Sequence, residues 1–275
     1  MAKNADLHCH SRRSDGSLEP AEVVRRAHKA GIALLVLSDH DSVSGFPEAR
    51  VEAARLGMDF ACGIEINTGE ADGVHVLGYG FDPYSAVLAG RLEEFRARRE
   101  RRAGIIVERL NALGVELTLE EVRGESTETL GRPHVADALR RKKLVKDRAE
   151  AFKRYLVPGA AAYVAPMGPT VAEAIAAIKG AGGWASLAHP GTVKRDIDLA
   201  PWVEQGLEGI EAYYKAHTGP QIDRFLEAAK RFGLLATGGS DFHGPGTGRE
   251  DLGGVEIPDA ELAVLRERLR VAAPA

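Results

Sequence analysis

The sequence predicts an α/β fold with a mostly parallel sheet whose strand ends carry the functional groups. Two observations predict it. Between residues 5 and 66, three short apolar runs alternate with two segments of helical pattern, the order expected when crossover helices join parallel strands. Histidines and carboxylates then recur where the apolar runs stop: His8-Cys9-His10, Asp39-His40, Glu65, His189-Pro190 and Asp241-Phe242-His243. In parallel α/β architectures that end of the sheet is where sites are built.

The elements follow in order. Residues 5–8 form a first strand. Ser17 reads as the N-cap of a helix with Glu19 and Pro20 in its first turn, Val23, Val24 and Ala27 on its apolar stripe and Gly31 as its stop. The near-continuous apolar run 32–37 suits a buried parallel strand closing on Ser38-Asp39-His40. A second helix fits 46–56 before Gly57, and a third strand fits 60–66 with Glu65 near its end. Asp72-Gly73 is a tight-turn pair leading into a strand over 74–81. His75 therefore opens its strand, and an antiparallel hairpin puts it at the same end of the sheet as Glu65.

Residues 85–160 contain no clear strand. A charged amphipathic helix fits 91–113, Thr118-Leu119-Glu120-Glu121 matches a capping box, and further helices fit 133–143 and 147–156. An inserted helical subdomain over 84–163 is expected, interrupting an α/β domain built from 1–83 and 164–275. The alternation resumes with a helix at 170–180, a strand at 184–188, a strand at 207–214, a helix at 221–232, a strand at 234–237 and a last helix at 259–270. That makes roughly seven strands.

The composition narrows the class. With 44% hydrophobic and 28% charged residues in 275, the chain is ordinary globular protein. A net charge of −4 argues against a large footprint on long duplex nucleic acid. No apolar run is long enough to span a membrane, and the N-terminus lacks a secretory apolar stretch. Two cysteines are too few for a disulfide framework, so a cytoplasmic setting is expected. Cys9 reads as a core filler, because neighbours in a strand point to opposite faces.

The clustered side chains suggest divalent cations. Imidazole and carboxylate are the ligands borderline and hard cations prefer, and a multinuclear site points to metal-assisted hydrolysis. His8 and His10, at i and i+2, can share a cation, and Asp241 and His243 can face one cavity by the same spacing. Glu65 can bridge two cations. Asp39 either orients His40 or faces away. Gly238-Gly239-Ser240 serves as a turn and also permits close approach of a ligand, the structural role being preferred. His28 reads as a solvated surface residue. Arg96, Arg98, Arg99, Arg101 and Arg102 read mainly as a solvated helix face from which one or two could reach a phosphate. Arg132 and His134 sit at a helix start, where anions are favoured, and arginine suits phosphate. Lys215 and His217 follow the sixth strand and are candidates for the same phosphate grip, with Tyr213 or Tyr214 available to stack on a base.

Taken in order, these motifs resemble the PHP (polymerase and histidinol phosphatase) family of metal-dependent phosphoesterases. The resemblance rests on Asp6-Leu7-His8-Cys9-His10, Ser38-Asp39-His40-Asp41, Gly63-Ile64-Glu65-Ile66, His75-Val76-Leu77-Gly78-Tyr79, Ala188-His189-Pro190-Gly191 and Gly239-Ser240-Asp241-Phe242-His243. It implies a distorted (β/α)7 barrel holding two to three divalent ions, manganese before zinc or iron. By the same resemblance His8, His10, Glu65 and Asp241 hold one metal, Glu65, His75 and His189 a second, and Asp15, His40 and His243 a third. Glu65, His189 and Asp241 are the expected catalytic core. The insertion with Gly131-Arg132-Pro133-His134 is similar to the branch of 3′,5′-nucleoside bisphosphate phosphatases and 5′–3′ exoribonucleases of the RNase AM type.

The expected activity is therefore hydrolysis of the 3′-phosphate of bisphosphates such as adenosine 3′,5′-bisphosphate, or trimming of 5′ ends of short RNA. A hydroxide held between the cations would attack phosphorus in line. Three alternatives predict different features. Histidinol phosphatase needs an acidic pocket beyond the metals. A non-catalytic PHP module in a larger assembly should lack several ligands. An amidohydrolase with a carbamylated lysine bridge should not have Glu65 in the bridging place.

Overall fold

The computed structural model describes residues 3–70, 73–124 and 128–271. Seven strands form one sheet in chain order: β1 (Lys3–Cys9), β2 (Ile32–Leu37), β3 (Asp59–Asn67), β4 (His75–Tyr79), β5 (Trp184–Leu187), β6 (Leu207–Tyr214) and β7 (Leu235–Gly239). Pairing is parallel except on both sides of β4, which runs against β3 and β5. His75 pairs with Asn67, so the reversed strand opens at the end of the barrel where the others close. The Asp72-Gly73 turn lies partly outside the described residues.

The sheet nearly closes on itself. Past the last rung of β7, Asp241 N donates to His8 O at 2.8 Å and His10 N donates to Phe242 O at 2.8 Å. Asp6 reinforces this seam, accepting from the Ser240 hydroxyl at 2.5 Å and from Gly253 N at 2.8 Å. Two glycines permit it. A Cβ on Gly239 would stand 2.3 Å from the His8 Cβ, and one on Gly238 would stand 2.5 Å from Tyr213 O. Their role is close strand packing, in β7 and not in a turn.

Helices α1 (Pro20–Lys29), α2 (Phe46–Leu56), α7 (Val171–Gly180) and α9 (Gly219–Phe232) cover the barrel. The α1 stripe of Val23, Val24 and Ala27 is fully buried in the main apolar core, with Leu35, Phe60 and Ile64 of the sheet. Helix α1 starts at Pro20 with Glu19 at its N-cap, not Ser17; the Ser17 backbone N–H instead donates to His243 O. The short helix α8 (Ala200–Glu204) breaks the polar stretch before β6, and α10 (Asp259–Arg268) follows β7. Leu262, Leu265 and Leu269 close the other face of the sheet with Leu7, Leu34 and Tyr79.

Between β4 and β5 the chain is helical. Helix α3 (Ala86–Ala112) is followed by α4 (Leu119–Arg123), α5 (Arg132–Arg141), α6 (Arg148–Ala151) and a π-turn over Phe152–Leu156. The capping box of Thr118 and Glu121 is present at α4. Helix α3 joins two cores. Leu88, Leu92 and Phe95 pack with the barrel, whereas Ile106, Val107 and Leu110 pack with Leu130, Val135, Leu139 and Leu156 in a second apolar cluster. Among the described residues no helix is long and apolar enough to cross a membrane.

Candidate metal centre and substrate cavity

The C-terminal barrel end gathers all nine side chains expected to bind cations. The tightest group is His8, His10, Glu65 and Asp241, all buried. His8 Nε2 and His10 Nε2 lie 3.1 Å apart, each 3.1 Å from Glu65 Oε2, and Asp241 Oδ1 stands 3.5 and 3.3 Å from them. Donors about 2.1 Å from a common ion are separated by roughly 3.0–3.4 Å. Glu65 serves more than one group. Its Oε2 also lies 3.0 Å from His40 Nδ1, and its Oε1 lies 2.7 Å from His75 Nδ1 and 2.9 Å from His189 Nε2.

The grouping differs slightly from the one the family resemblance implies. His40 joins Glu65 and His75 within common reach, whereas His189 touches the same Glu65 oxygen without completing that group. Around Asp15, His243 Nε2 stands at 3.2 Å and His40 Nε2 at 3.7 Å, and His10 joins them. Asp241 and His243 lie beyond the end of β7, with Asp241 at φ 54°. Their shared direction comes from this left-handed turn, not from strand alternation. His189 (φ 27°) and Asp41 (φ 49°) mark similar sharp bends after β5 and β2.

Second nitrogens fix the rings. His8 Nδ1 donates to Glu211 at 3.0 Å, His243 Nδ1 donates to Asp241 O at 2.7 Å, and His189 Nδ1 is 3.1 Å from the Thr192 hydroxyl. Each leaves Nε2 as a lone pair aimed inward. Glu65 Oε2, Asp241 Oδ1 and Asp15 Oδ1 are buried and accept no hydrogen bond. Buried carboxylate oxygens in that state fit cation ligation and little else.

Electrostatics agree. Burial works against charge on His10, but the adjacent Asp241 and Glu65 carboxylates lift it to about 9. His8 is raised well above its ordinary value: burial opposes this, and Glu211, Glu65 and Asp241 outweigh it. Burial likewise opposes ionisation of Glu65, Asp241 and Asp15, yet the surrounding cationic groups hold all three well below the usual carboxylate range. Burial pushes His40 down to about 3. Without cations, protons on His8 and His10 offset part of the carboxylate charge.

A cavity of about 370 Å³ opens beside the cluster, between the barrel and the helices that follow β4. Asp15, His40, His75 and His243 form its floor, and Ile106, Leu130, Phe152 and Met167 an apolar part of its wall. Arg99, Arg102, Arg132, Arg148 and Arg249 also line it, and Asp15 is the one lining carboxylate among the described residues. Arg99 pairs with Asp41, Arg148 with Asp137, and Arg249 with Asp241. Arg102 grips Val164 O, and Arg132 reaches Leu156 O at 3.3 Å with its guanidinium 5.6 Å over the Phe152 ring. Among the described residues neither Arg102 nor Arg132 has a carboxylate partner.

Three expected phosphate contacts are placed elsewhere. His134 is buried behind the cavity wall, accepting from Gly131 N at Nδ1 (3.0 Å) and donating from Nε2 to Ser14 O (2.9 Å). Both nitrogens are used, so it ties α5 to the loop bearing Asp15. Lys215 bonds Asp251 through its backbone oxygen and carboxylate, at 3.2 and 3.4 Å. His217 donates from Nδ1 to Ala212 O at 2.9 Å and accepts from Gly191 N at 3.1 Å. Tyr213 bonds Glu261, and Tyr214 donates to Asp241 Oδ2 at 3.1 Å. Asp39 neither orients His40 nor lies idle. It accepts from Ser11 and Ser14, each at 2.7 Å, and so braces the loop before Asp15. Of the α3 arginines, Arg99 and Arg102 reach the cavity, while Arg98 pairs with Glu173 and Arg96 with Asp41 O.

A parallel barrel with one reversed strand and a nest of imidazoles and carboxylates at its mouth defines a metal-dependent phosphoesterase of the hydrolase class. The PHP-domain profile matches residues 6–151. A 3′,5′-nucleoside bisphosphate phosphatase from Chromobacterium violaceum is 37% identical, covering 99% of each chain. A 5′–3′ exoribonuclease from Haemophilus influenzae is 35% identical over 89% of this chain and 92% of its own. Two solved structures superpose with a TM-score of 0.87. One, from C. violaceum, is described as an amidohydrolase with bound sulfate and no metal; it is 36% identical over 99% and 98% of the two chains. The other, from Bifidobacterium adolescentis, is provisionally described as a metal-dependent phosphoesterase; it is 33% identical over 98% and 97%. The chain belongs to the PHP family.

Proposed function

We propose that the enzyme removes the 3′-phosphate from 3′,5′-nucleoside bisphosphates and also acts on the phosphorylated 5′ ends of short RNA. The observation that carries this reading is the pair of guanidinia, Arg102 and Arg132, without carboxylate partners among the described residues, in the cavity that adjoins the candidate metal ligands. One phosphate would sit over the cluster and the other between these arginines. The nucleoside would lie against Ile106, Leu130, Phe152 and Met167. The activities named for the two curated relatives support the same substrates.

Divalent cations, manganese fitting the mixed nitrogen and carboxylate set, would supply Lewis-acid activation of water and of the phosphoryl oxygens. His8, His10, Glu65 and Asp241 would hold one, Glu65, His75 and His189 with His40 a second, and Asp15, His40 and His243 a third. Arg249 would lend positive charge at the cavity edge while bracing Asp241. We take 84–163 as an inserted helical unit, supported by its own apolar core, and a cytoplasmic setting, supported by two buried free cysteines.

The alternatives fit less well. Histidinol phosphate brings an imidazole and an ammonium, but among the described lining residues five are arginines and Asp15 is the one carboxylate. Glu65 occupies the place a carbamylated lysine would bridge. Sulfate in the C. violaceum structure is a tetrahedral anion and favours phosphate over an amide.

The test separates binding from chemistry. In manganese-loaded protein, Arg132→Ala should leave metal content unchanged and lower kcat/KM for adenosine 3′,5′-bisphosphate by about 1.5–3 kcal/mol, the range for a hydrogen bond to a charged group. An aryl monophosphate, which has no second phosphate to lose, should be affected much less. Equal losses would put Arg132 at the reacting phosphate; no loss for either would remove the second phosphate from this wall.

A further inference from the structure

Glu211 lies at the centre of β6 with no exposed surface, and it does not line the cavity. Its neighbours along the strand, Ile210 and Ala212, belong to the main apolar core. A carboxylate there is costly unless its oxygens are fully used. Glu211 uses both on two separate parts of the metal centre. Oε1 lies 3.0 Å and Oε2 3.2 Å from His8 Nδ1, while Oε2 also accepts from the His189 backbone N–H at 2.7 Å.

Each contact fixes something the cluster needs. A proton held on His8 Nδ1 leaves Nε2 as the lone pair that faces His10, Glu65 and Asp241. His189 has φ 27° without being glycine, a conformation that must be held by its surroundings. The 2.7 Å bond to its N–H holds it, and from there His189 Nε2 reaches Glu65 Oε1 at 2.9 Å. The hydroxyl of Thr192 fixes the other nitrogen of that ring.

We infer that Glu211 is a positioning residue shared by two ligands, His8 and His189, so that the cation positions on the two oxygens of Glu65 are organised together from one buried carboxylate. It touches neither substrate nor reacting atoms. The inference concerns metal retention and is independent of which phosphate ester is hydrolysed.

Glu211→Gln preserves size but removes the charge from both contacts, and with its oxygen on the His189 N–H its NH2 group takes the Oε1 place 3.0 Å from His8 Nδ1, where a donor opposes the Nδ1 proton. The experiment compares wild type, Glu211→Gln and Thr192→Val, each chelated and then titrated with manganese alone, with bound metal read by elemental analysis after equilibrium dialysis. Removing an outer partner of a metal-bound histidine typically lowers affinity 10–100-fold. Glu211→Gln should show that loss at two positions, and Thr192→Val at one. Imidazole nitrogen NMR shifts of the zinc-loaded proteins, in which the ion would displace the second proton of His8, should report its remaining proton on Nδ1 in wild type and a mixture in Glu211→Gln. The chelated variants should melt within a few degrees of chelated wild type, as a site-specific role requires. Unchanged manganese affinity at both positions overturns the inference. So does an affinity loss confined to one position, or one accompanied by a large melting drop in the chelated protein without any tautomer change. Should Glu211→Gln fail to fold, Thr192→Val and Glu211→Asp carry the test; a Glu211→Asp protein that folds and binds two ions at full strength is equally fatal.

Discussion

Glu65 faces imidazoles through both its oxygens, His8, His10 and His40 through one and His75 and His189 through the other. In the metal-free protein some of those rings must carry protons. His10, opposed by burial but raised to about 9 by Asp241 and Glu65, carries one at neutral pH. Because its value rises from 6.5 on folding, the stabilisation it contributes is full below about 6.5 and fades as pH climbs towards 9. A cation competes with that proton, so metal affinity should rise through the window in which metal-free stability falls. Calorimetry of manganese binding at pH 7.5, in two buffers of different ionisation enthalpy, should show net proton release; heats that do not depend on the buffer would remove His10 from the proton-bearing set. At this scale the clustering of the nine side chains was readable because residue type and strand-end position coincide. Glu211 was not, because an inward acid inside an apolar run looks like solvent-facing alternation. Arg249 lies on an irregular loop without a periodic signal. Lys215, His217 and His134 carried the right chemistry, but sequence does not tell which way a side chain turns once its strand or helix has ended.

Among the elements, seven strands and their surrounding helices fell close to their expected places, since buried parallel strands and capped helices leave strong local signals. The reversal at β4 could be read from the Asp72-Gly73 pair and the position of His75. Helix α8 was missed because five residues hold too little periodicity, and the segment expected as one helix over 147–156 changes to a π-turn at Phe152. The barrel seam could not be read, because it depends on two strands at opposite ends of the chain meeting. It makes a sharp prediction for two glycines. A Cβ on Gly239 would meet His8 backbone and Cβ atoms at 2.3–2.9 Å, whereas one on Gly57 would meet nothing within 4 Å. Gly239→Ala should cost about 1–3 kcal/mol through overpacking and also reduce bound metal, because His8 is displaced. Gly57→Ala, at φ 63°, should cost roughly 1–2 kcal/mol of backbone strain and leave metal binding alone. Urea denaturation and elemental analysis of the two variants test the contrast. Equal metal content would show that the seam tolerates the methyl without moving His8.

In the whole molecule, two apolar cores are joined by α3 and by polar ties at the cavity. His134 holds Ser14 O, Arg148 reaches Asp15 O at 3.4 Å, Ser42 bonds Glu128 at 2.7 Å, and Arg99 pairs with Asp41 at 3.0 Å. The last tie is the most deeply buried, since Arg99 is 10% exposed and Asp41 fully enclosed. Arg99 also donates to Leu130 O, so one guanidinium fastens the barrel's second strand end to the second core. Arg99→Met should leave the buried Asp41 carboxylate without its cationic partner, held by long hydrogen bonds from Asn67, and breaking a buried pair in that way costs about 3–5 kcal/mol. Burial already raises Asp41 to about 6 against the pull of Arg99. Without Arg99 it should rise further, and its folded value stays above the unfolded 3.8. The penalty is therefore largest where Asp41 would be ionised in the wild type, above pH 6, and shrinks as acid protonates it in both proteins. Converting Asp41 to Asn in the same background should recover part of the loss, because the stranded charge is gone. Denaturant melts of chelated single and double variants at pH 5 and pH 8, followed by near-UV circular dichroism, decide it. If the single variant loses no more at pH 8 than at pH 5, or the double variant recovers nothing, the Asp41 charge is not what binds the α3–α5 helices to the barrel.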